Sequence, residues 1–396
     1  MADRLFRQAR LTDGRCVDLG VRDGHFVEAS EIAGKPDVVE LGGLLVVPGF
    51  VDGHIHLDKS FLGGPWRPHE RAGSIRERLA IEKRLLGEAR PVRERAEALI
   101  AQARSFGTIA MRSHVDVDAA TGLDHFHAVL EAREAWKDRM AIELVAFPQA
   151  GIVTSPGTAD LLEAAVREGA EVIGGIDPTT LDGDADAHLD VVFGIAERHG
   201  VKIDIHLHEH GAGGIEQIER IAGRTAAAGL GGRVTISHAY ALGDVPPDEA
   251  RRTADILARA GVSILTNAPG DHPFPPVAVL RDAGVHVFAG NDNIRDAWWP
   301  YGNGDMLQRA MLIGYRSGFY TDDDLHFLLG MATSASARAL GLEDYGIAAG
   351  NEATFVILDA PNAAAAVAMP AADPILVQRG EFASGTSASL SRKLKA

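Results

Sequence analysis

A chain of 396 residues, 46% of them hydrophobic, exceeds most single cores and suits one large barrel with a smaller satellite domain. Its 39 basic and 55 acidic residues give a formal net charge of -16, which disfavours nucleic acid or an anionic membrane surface as a partner while leaving room for a local anion site. The one cysteine, Cys16, excludes an intramolecular disulfide, Met1 to Arg10 holds no apolar leader, and no run reaches the ~18 apolar residues of a membrane span, so a cytoplasmic protein is expected.

In chain order, residues 4–47 predict short strands with turns at Asp13-Gly14 and Asp23-Gly24. LLVVPGFVDGHIH then opens a series in which a helix closes on glycine and a short apolar strand follows, ending in polar residues. The series continues through SFGTIAMRSHVDVD, AIELVAFPQAG, REGAEVIGGID, RHGVKIDIHLHEH, RVTISHAYAL, RAGVSILTNAPG and DAGVHVFAGNDN. Glycine suits a helix stop because a left-handed residue is wanted there. The intervening segments carry helical periodicity: Val92, Ala96, Leu99, Ile100 and Ala103 share one face, as do Leu189, Val192, Phe193 and Ala196. The strands are nearly unbroken apolar runs, as in a parallel sheet covered on both faces. Segments 353–360 (ATFVILDA) and 374–380 (PILVQRG) read as two further strands, and Ser384 to Ala396 as a loose terminus.

Eight such units over roughly 290 residues predict an α/β fold, a (β/α)8 TIM barrel, with a small β-sandwich domain formed from both termini. The expected boundaries are 1–48 for the N-terminal part of the small domain, 49–343 for the barrel, and 344–396 for the rest. The rival, a doubly wound dinucleotide-binding sheet, lacks a G-x-G-x-x-G after its first strand.

Function in such a barrel gathers at the C-terminal ends of strands. Those ends carry His54, His56, His114, Asp116, Gln149, Asp177, His206, His208, Glu209, His238 and Asp292. His54-Ile55-His56 places two rings on one strand face, where both can reach one point near the axis. His206 adds a third nitrogen and Asp292 a hard oxygen, a set that suits zinc or ferrous iron with a place left for water. Glu209, just past the fifth strand, is placed to move protons beside such a water, and His238 to hydrogen-bond the attacked group. Gln149 offers donor and acceptor together, matching an amide-like ring edge, and Trp298 could wall a flat ligand. His208 and His210 are expected at the surface or behind the ligands. Arg67, Arg71 and Lys83 in the first loop read as solvated charge. The fourth strand ends without a lysine. In such barrels a carboxylated lysine often bridges a second metal, so one divalent metal ion is expected.

The segments VVPGFVDGHIHLDKS, RSHVDVD, VAFPQAG, DIHLHEH, SHAYAL and GNDNIRDAWWPYGNGDM together resemble the amidohydrolase superfamily. They are most similar to its cytosine deaminase branch, including the N-isopropylammelide-type triazine hydrolases. The resemblance implies that His54, His56, His206 and Asp292 bind zinc or iron. It makes Glu209, His238 and Asp292 catalytic, puts Gln149 and Trp298 against the substrate ring, and implies a homo-oligomer. Asn293 stands where cytosine deaminases carry a second aspartate near the pyrimidine, so that position should shape which ring is taken.

The resulting expectation is hydrolytic deamination of an amino-substituted heterocycle, cytosine-like or a related pterin or triazine, with release of ammonia. The alternative is removal of an alkylamino group from an s-triazine, or opening of a cyclic amide. A non-catalytic scaffold would have lost part of the set, which here is complete.

Overall fold

The computed structural model describes residues 3–270, 272–383 and 390; the expected loose terminus lies outside these except for Leu390. Eight parallel strands with alternating helices form a near-closed TIM barrel. They are Phe50–Ile55, Thr108–Asp116, Ala141–Phe147, Val172–Ile176, Lys202–His206, Val234–Ser237, Val262–Thr266 and Val287–Ala289. Each lies beside the next in sequence order, and an isolated parallel bridge between Ile55 and Asp292 brings the eighth back to the first. The strands are short because the barrel needs only a few residues of each. The fourth to eighth register residue by residue, Ile173 on Ile203, Ile203 on Val234, Val234 on Val262 and Ile264 on Val287.

Burial explains the sequence pattern. The fourth, sixth, seventh and eighth strands are buried at every position, which is why they read as continuous apolar runs rather than as alternation. The apolar stripe of the helix Val92–Ser105 is fully covered at Ala96, Leu99, Ile100 and Ala103. The helix Pro247–Ala260 stops at Gly261, whose φ of 68° is the left-handed conformation that a side chain resists.

The stretch read as one strand from Leu44 is two. Leu45–Pro48 pairs antiparallel with Phe355–Leu358, and after Gly49 the chain re-enters as the first barrel strand. That pairing joins the N- and C-terminal segments into one mixed eight-stranded sheet, with Arg4–Arg10, Cys16–Arg22, His25–Val27, Asp37–Glu40, Ile375–Gln378 and Glu381–Phe382 as its other strands. Its core is Phe6, Leu19, Val21, Phe26, Val46, Phe355, Ile357, Ile375 and Val377, with the Phe6 and Phe355 rings edge to face at 5.0 Å. By contact density the chain divides into two compact units, residues 1–51, 101–110 and 304–396 in one and 52–100 and 111–303 in the other. Among the described residues no helix is long and apolar enough to cross a membrane.

Candidate metal centre and substrate pocket

The strand ends converge as the alternation of side chains requires. His54 and His56 leave the first strand on the same face, their ring centroids 5.3 Å apart. His206 ends the fifth strand with its ring 4.6 Å from that of His54 and stacked at 4.1 Å on Phe147. Asp292 follows the eighth strand, and its N–H donates to the His54 carbonyl at 2.7 Å. Ligand atoms of His54, His206, His238 and Asp292 all lie within 4.8 Å of one another, and all four residues are buried. His56 joins them through Asp292, its Nε2 3.2 Å from Oδ1, while His54 Nε2 stands 3.5 Å from the same oxygen.

The donors fit a divalent cation. His54 Nε2, both ring nitrogens of His206 and Nδ1 of His238 are buried without a hydrogen-bond partner, a costly state that a ligated ion would relieve. Burial pushes the His206 and His238 rings well below their ordinary pKa and His56 down to about 4, so these imidazoles are neutral and have lone pairs to give. Asp292 is driven the other way: despite burial, the nearby His238, His54 and His56 rings hold its carboxyl well below the usual range. His238, expected to touch substrate, therefore stands close enough to serve as a fourth nitrogen. Asn267, after the seventh strand, orients Asp292 by donating Nδ2–H to Oδ2 at 2.7 Å.

The backbone is strained where these groups leave their strands. Asp177, His238 and Asp292 have φ of 36°, 74° and 61°, a region that costs a residue with a side chain about 1–3 kcal/mol. Close packing adds a second constraint. A Cβ on Gly290 would lie 2.6 Å from the Cβ and backbone N of His54, so only glycine lets the eighth strand close against the first.

Glu209 is anchored by the loop after the fourth strand: its Oε1 accepts from the N–H groups of Thr179 at 2.8 Å and Thr180 at 2.7 Å. Burial raises its pKa, and the neighbouring Asp177 charge adds to this. His208 lies behind the centre, one of the two places expected for it. Its Nδ1 pairs with Asp177 at 2.8 Å, and its ring stacks on His238 at 4.7 Å. Burial opposes a charged His208, but Asp177 prevails and raises its pKa.

Against Gln149 and Trp298 stand two buried residues that sequence reasoning missed, Lys59 and Glu82. Lys59 is 1% exposed, yet its Nζ meets Gln149 Oε1 at 2.5 Å, Asp116 Oδ1 at 3.1 Å and Glu82 Oε1 at 3.3 Å. Burial alone would lower its pKa; the charges of Asp116, Glu82 and Asp58 reverse this and keep the ammonium charged. An ammonium only donates, so the Gln149 atom it touches is the oxygen, and the Gln149 amide N–H groups are the ones left for another partner. Trp298 donates its indole N–H to Glu82 at 2.7 Å, and Lys59 Nζ stands 5.7 Å from that ring. Glu82 comes from the first-loop helix Ile75–Gly87, a charged stretch in which this acid is buried. Of the cations considered, Arg67 bonds Glu88, and Lys83 lies 4.0 Å from Asp118. Asp58, Asp116 and His125 also cluster within 4.8 Å, but the Lys59 ammonium and a His125–Asp58 hydrogen bond of 2.9 Å already supply cationic partners there.

Asn293 Nδ2 donates to Asp296 at 2.6 Å. Asp296 also accepts from the N–H groups of Trp298 and Trp299 at 2.8 and 2.9 Å, which fixes the loop that carries Trp298.

Residues 37–377 match the amidohydrolase family. The chain is 36% identical over 370 residues to the N-isopropylammelide isopropyl amidohydrolase of Pseudomonas sp. (strain ADP), covering 90% of this chain and 91% of that one. The crystal structure of N-isopropylammelide isopropylaminohydrolase from Burkholderia multivorans superimposes with a TM-score of 0.91 at 38% identity, covering 96% of this chain and 98% of the other. That of 5-methylcytosine deaminase from Klebsiella pneumoniae, liganded with 5-fluorocytosine, gives 0.86 at 28% identity over 97% and 98%.

Proposed function

The chain belongs to the amidohydrolase family, a hydrolase of non-peptide C–N bonds, and within it we propose that the reaction is removal of an alkylamino group from an oxo-substituted s-triazine, releasing the amine. This reverses the order of the two expectations drawn from the sequence, since the deaminases are the more distant relatives. The observation that carries it is the Lys59–Gln149 contact: with its oxygen taken by Lys59, Gln149 has N–H donors for a ring carbonyl. An oxo-triazine offers such acceptors beside the carbon that carries the amine.

His54, His56, His206 and Asp292 would hold one divalent ion, zinc or iron, with His238 at the same centre. The ion would make a neighbouring water acidic enough to lose a proton near neutral pH. Glu209 takes that proton as the water oxygen attacks the ring carbon, and returns it to the ring nitrogen. Its raised pKa suits both directions of transfer. His238, stacked on His208, hydrogen-bonds the oxygen where charge develops. Asp292 accepts the remaining proton and passes it to the departing amine, leaving a carbonyl in place of the C–N bond. Gln149 and Trp298 orient the ring, and Asn293, tied to Asp296, shapes the edge nearest Asp292.

Deamination stays as the second reading, favoured by the likeness of the barrel to that of a 5-methylcytosine deaminase. Metal-reconstituted protein should be given N-alkylammelides, aminopyrimidines and pterins while alkylamine and ammonia are assayed separately. Alkylamine release from the triazine is expected. Ammonia from a pyrimidine or pterin, with no turnover of any alkylaminotriazine, would replace this reading by the second.

A further inference from the structure

Beneath the metal centre a chain of buried polar side chains crosses the barrel from the second strand to the first. Arg112 donates Nε–H to Glu143 at 2.6 Å and Nη1–H to Asp204 Oδ2 at 2.9 Å. Ser237 Oγ stands 2.6 Å from Asp204 Oδ1 and 3.1 Å from His54 Nδ1. Arg112, Asp204, Ser237 and His54 are each 1% exposed or less.

Proton counting gives this chain a direction. Arg112 is always charged and can only donate, so it holds Asp204 as a carboxylate, which can only accept. The single Ser237 hydroxyl proton therefore goes to Asp204, at a distance typical of a charge-assisted bond. Ser237 Oγ is then left as an acceptor, and the group 3.1 Å away must donate: His54 Nδ1 carries the proton. Its Nε2, which faces Asp292 Oδ1 at 3.5 Å, keeps the lone pair.

We propose that Asp204 and Ser237 are positioning residues that fix the His54 tautomer, so that Nε2 is the ligating nitrogen. His54, His114 and Asp204 also lie within 4.8 Å of one another, yet Asp204 is committed to Arg112 and Ser237. That group therefore works as support for the centre, and His114, stacked on His54 at 3.8 Å, holds the ring from its face. The tautomer assignment stands whether or not the substrate reading does; only its consequence for metal affinity rests on the proposed centre.

Nitrogen-15 NMR of histidine-labelled apo protein at pH 8 tests the tautomer without metal, substrate or variant. The expected His54 pattern is a protonated Nδ1 with a bare Nε2; the reverse overturns the proposal. Metal competition with a chromophoric chelator tests the consequence. Ser237→Ala should weaken divalent-ion binding about 10–100-fold, the usual scale for removing the partner of a ligating histidine, and Ser237→Thr, which keeps a hydroxyl, should recover most of it. Affinity in Ser237→Ala equal to that of the unaltered protein, with an unchanged apo melting temperature, would refute the role given to Ser237.

Discussion

Glu82 and Trp298 are joined by a 2.7 Å hydrogen bond from the indole N–H to the carboxylate, and the oxygen that accepts it also lies 3.3 Å from Lys59. One buried acid thus joins a helix of the first loop, Lys59 and the Trp298 ring. Lys59 keeps Asp116 if Glu82 is removed, so the fold should survive. A hydrogen bond to a charged group contributes about 1.5–3 kcal/mol. Glu82→Ala should therefore raise KM about tenfold or more with kcat changed little, because ring orientation serves ground and transition states alike. Steady-state kinetics check this, and a kcat loss at constant KM would place Glu82 in the chemical step instead.

The pH profile should bear the mark of Glu209. Burial, helped by Asp177, raises its pKa above the ordinary 4.5. A base must be ionised, so kcat/KM is full above that raised value and falls as pH drops through it. The acid limb should sit at higher pH than an exposed glutamate would give, and Glu209→Gln should abolish turnover with metal still bound. Stability runs with the opposite sign. Because the fold favours the protonated acid, Glu209 contributes stability that is complete below 4.5 and is lost as pH rises through the raised value. Thermal melts of Glu209→Gln should lack that slope, and wild-type turnover in this variant would remove Glu209 from the mechanism.

The proposed ligands were readable because each lies on or just past a periodic element: alternation in a strand aims His54 and His56 together, and His206 and Asp292 close apolar runs bounded by turn residues. Lys59 was not readable by the same logic. It lies three residues past His56 in a turn, where no period fixes direction, and a lone lysine is ordinarily solvated. Only the meeting of Asp116, Glu82 and Gln149 from three other segments makes its burial tolerable. Glu82 was hidden for a related reason: the helix Ile75–Gly87 is rich in charge, and nothing local marks which acid turns inward. The split of the first long strand at Gly49 escaped because both halves are apolar and differ only in which sheet they join.

Gly290 and Gly223 should respond in opposite ways to alanine. A Cβ at Gly290 meets backbone and Cβ atoms of His54 at 2.6 Å, contacts that cannot rotate away. Overpacking of this kind costs about 1–3 kcal/mol, and the shift falls on a ligand. Gly290→Ala should lower both the melting temperature and metal affinity. Gly223 lies inside the helix Gly211–Ala227 with nothing within 4 Å of an added Cβ. Gly223→Ala should add about 0.5–1 kcal/mol from helix propensity, with metal affinity untouched. Denaturant melts and metal titrations of the two variants check both.

Asp292 gives a test in which metal and fold are separated. Its carboxyl is held well below the usual range by the His238, His54 and His56 rings, with Asn267 as its polar support, so the fold favours its charge before a cation arrives. Removing an ion from the wild-type protein should lower its melting temperature; at a free concentration of 100 times Kd, binding contributes about 2.7 kcal/mol. Asp292→Asn keeps the shape and can still accept from Asn267, but it removes the buried charge. Stripped of metal, the variant should melt below stripped wild type, because the fold favours the Asp292 carboxylate over its protonated form. Added zinc or ferrous iron should stabilise the wild type and leave the variant nearly unmoved. Melts with and without chelator measure all four states, and an undiminished metal response in Asp292→Asn would take Asp292 out of the ligand set.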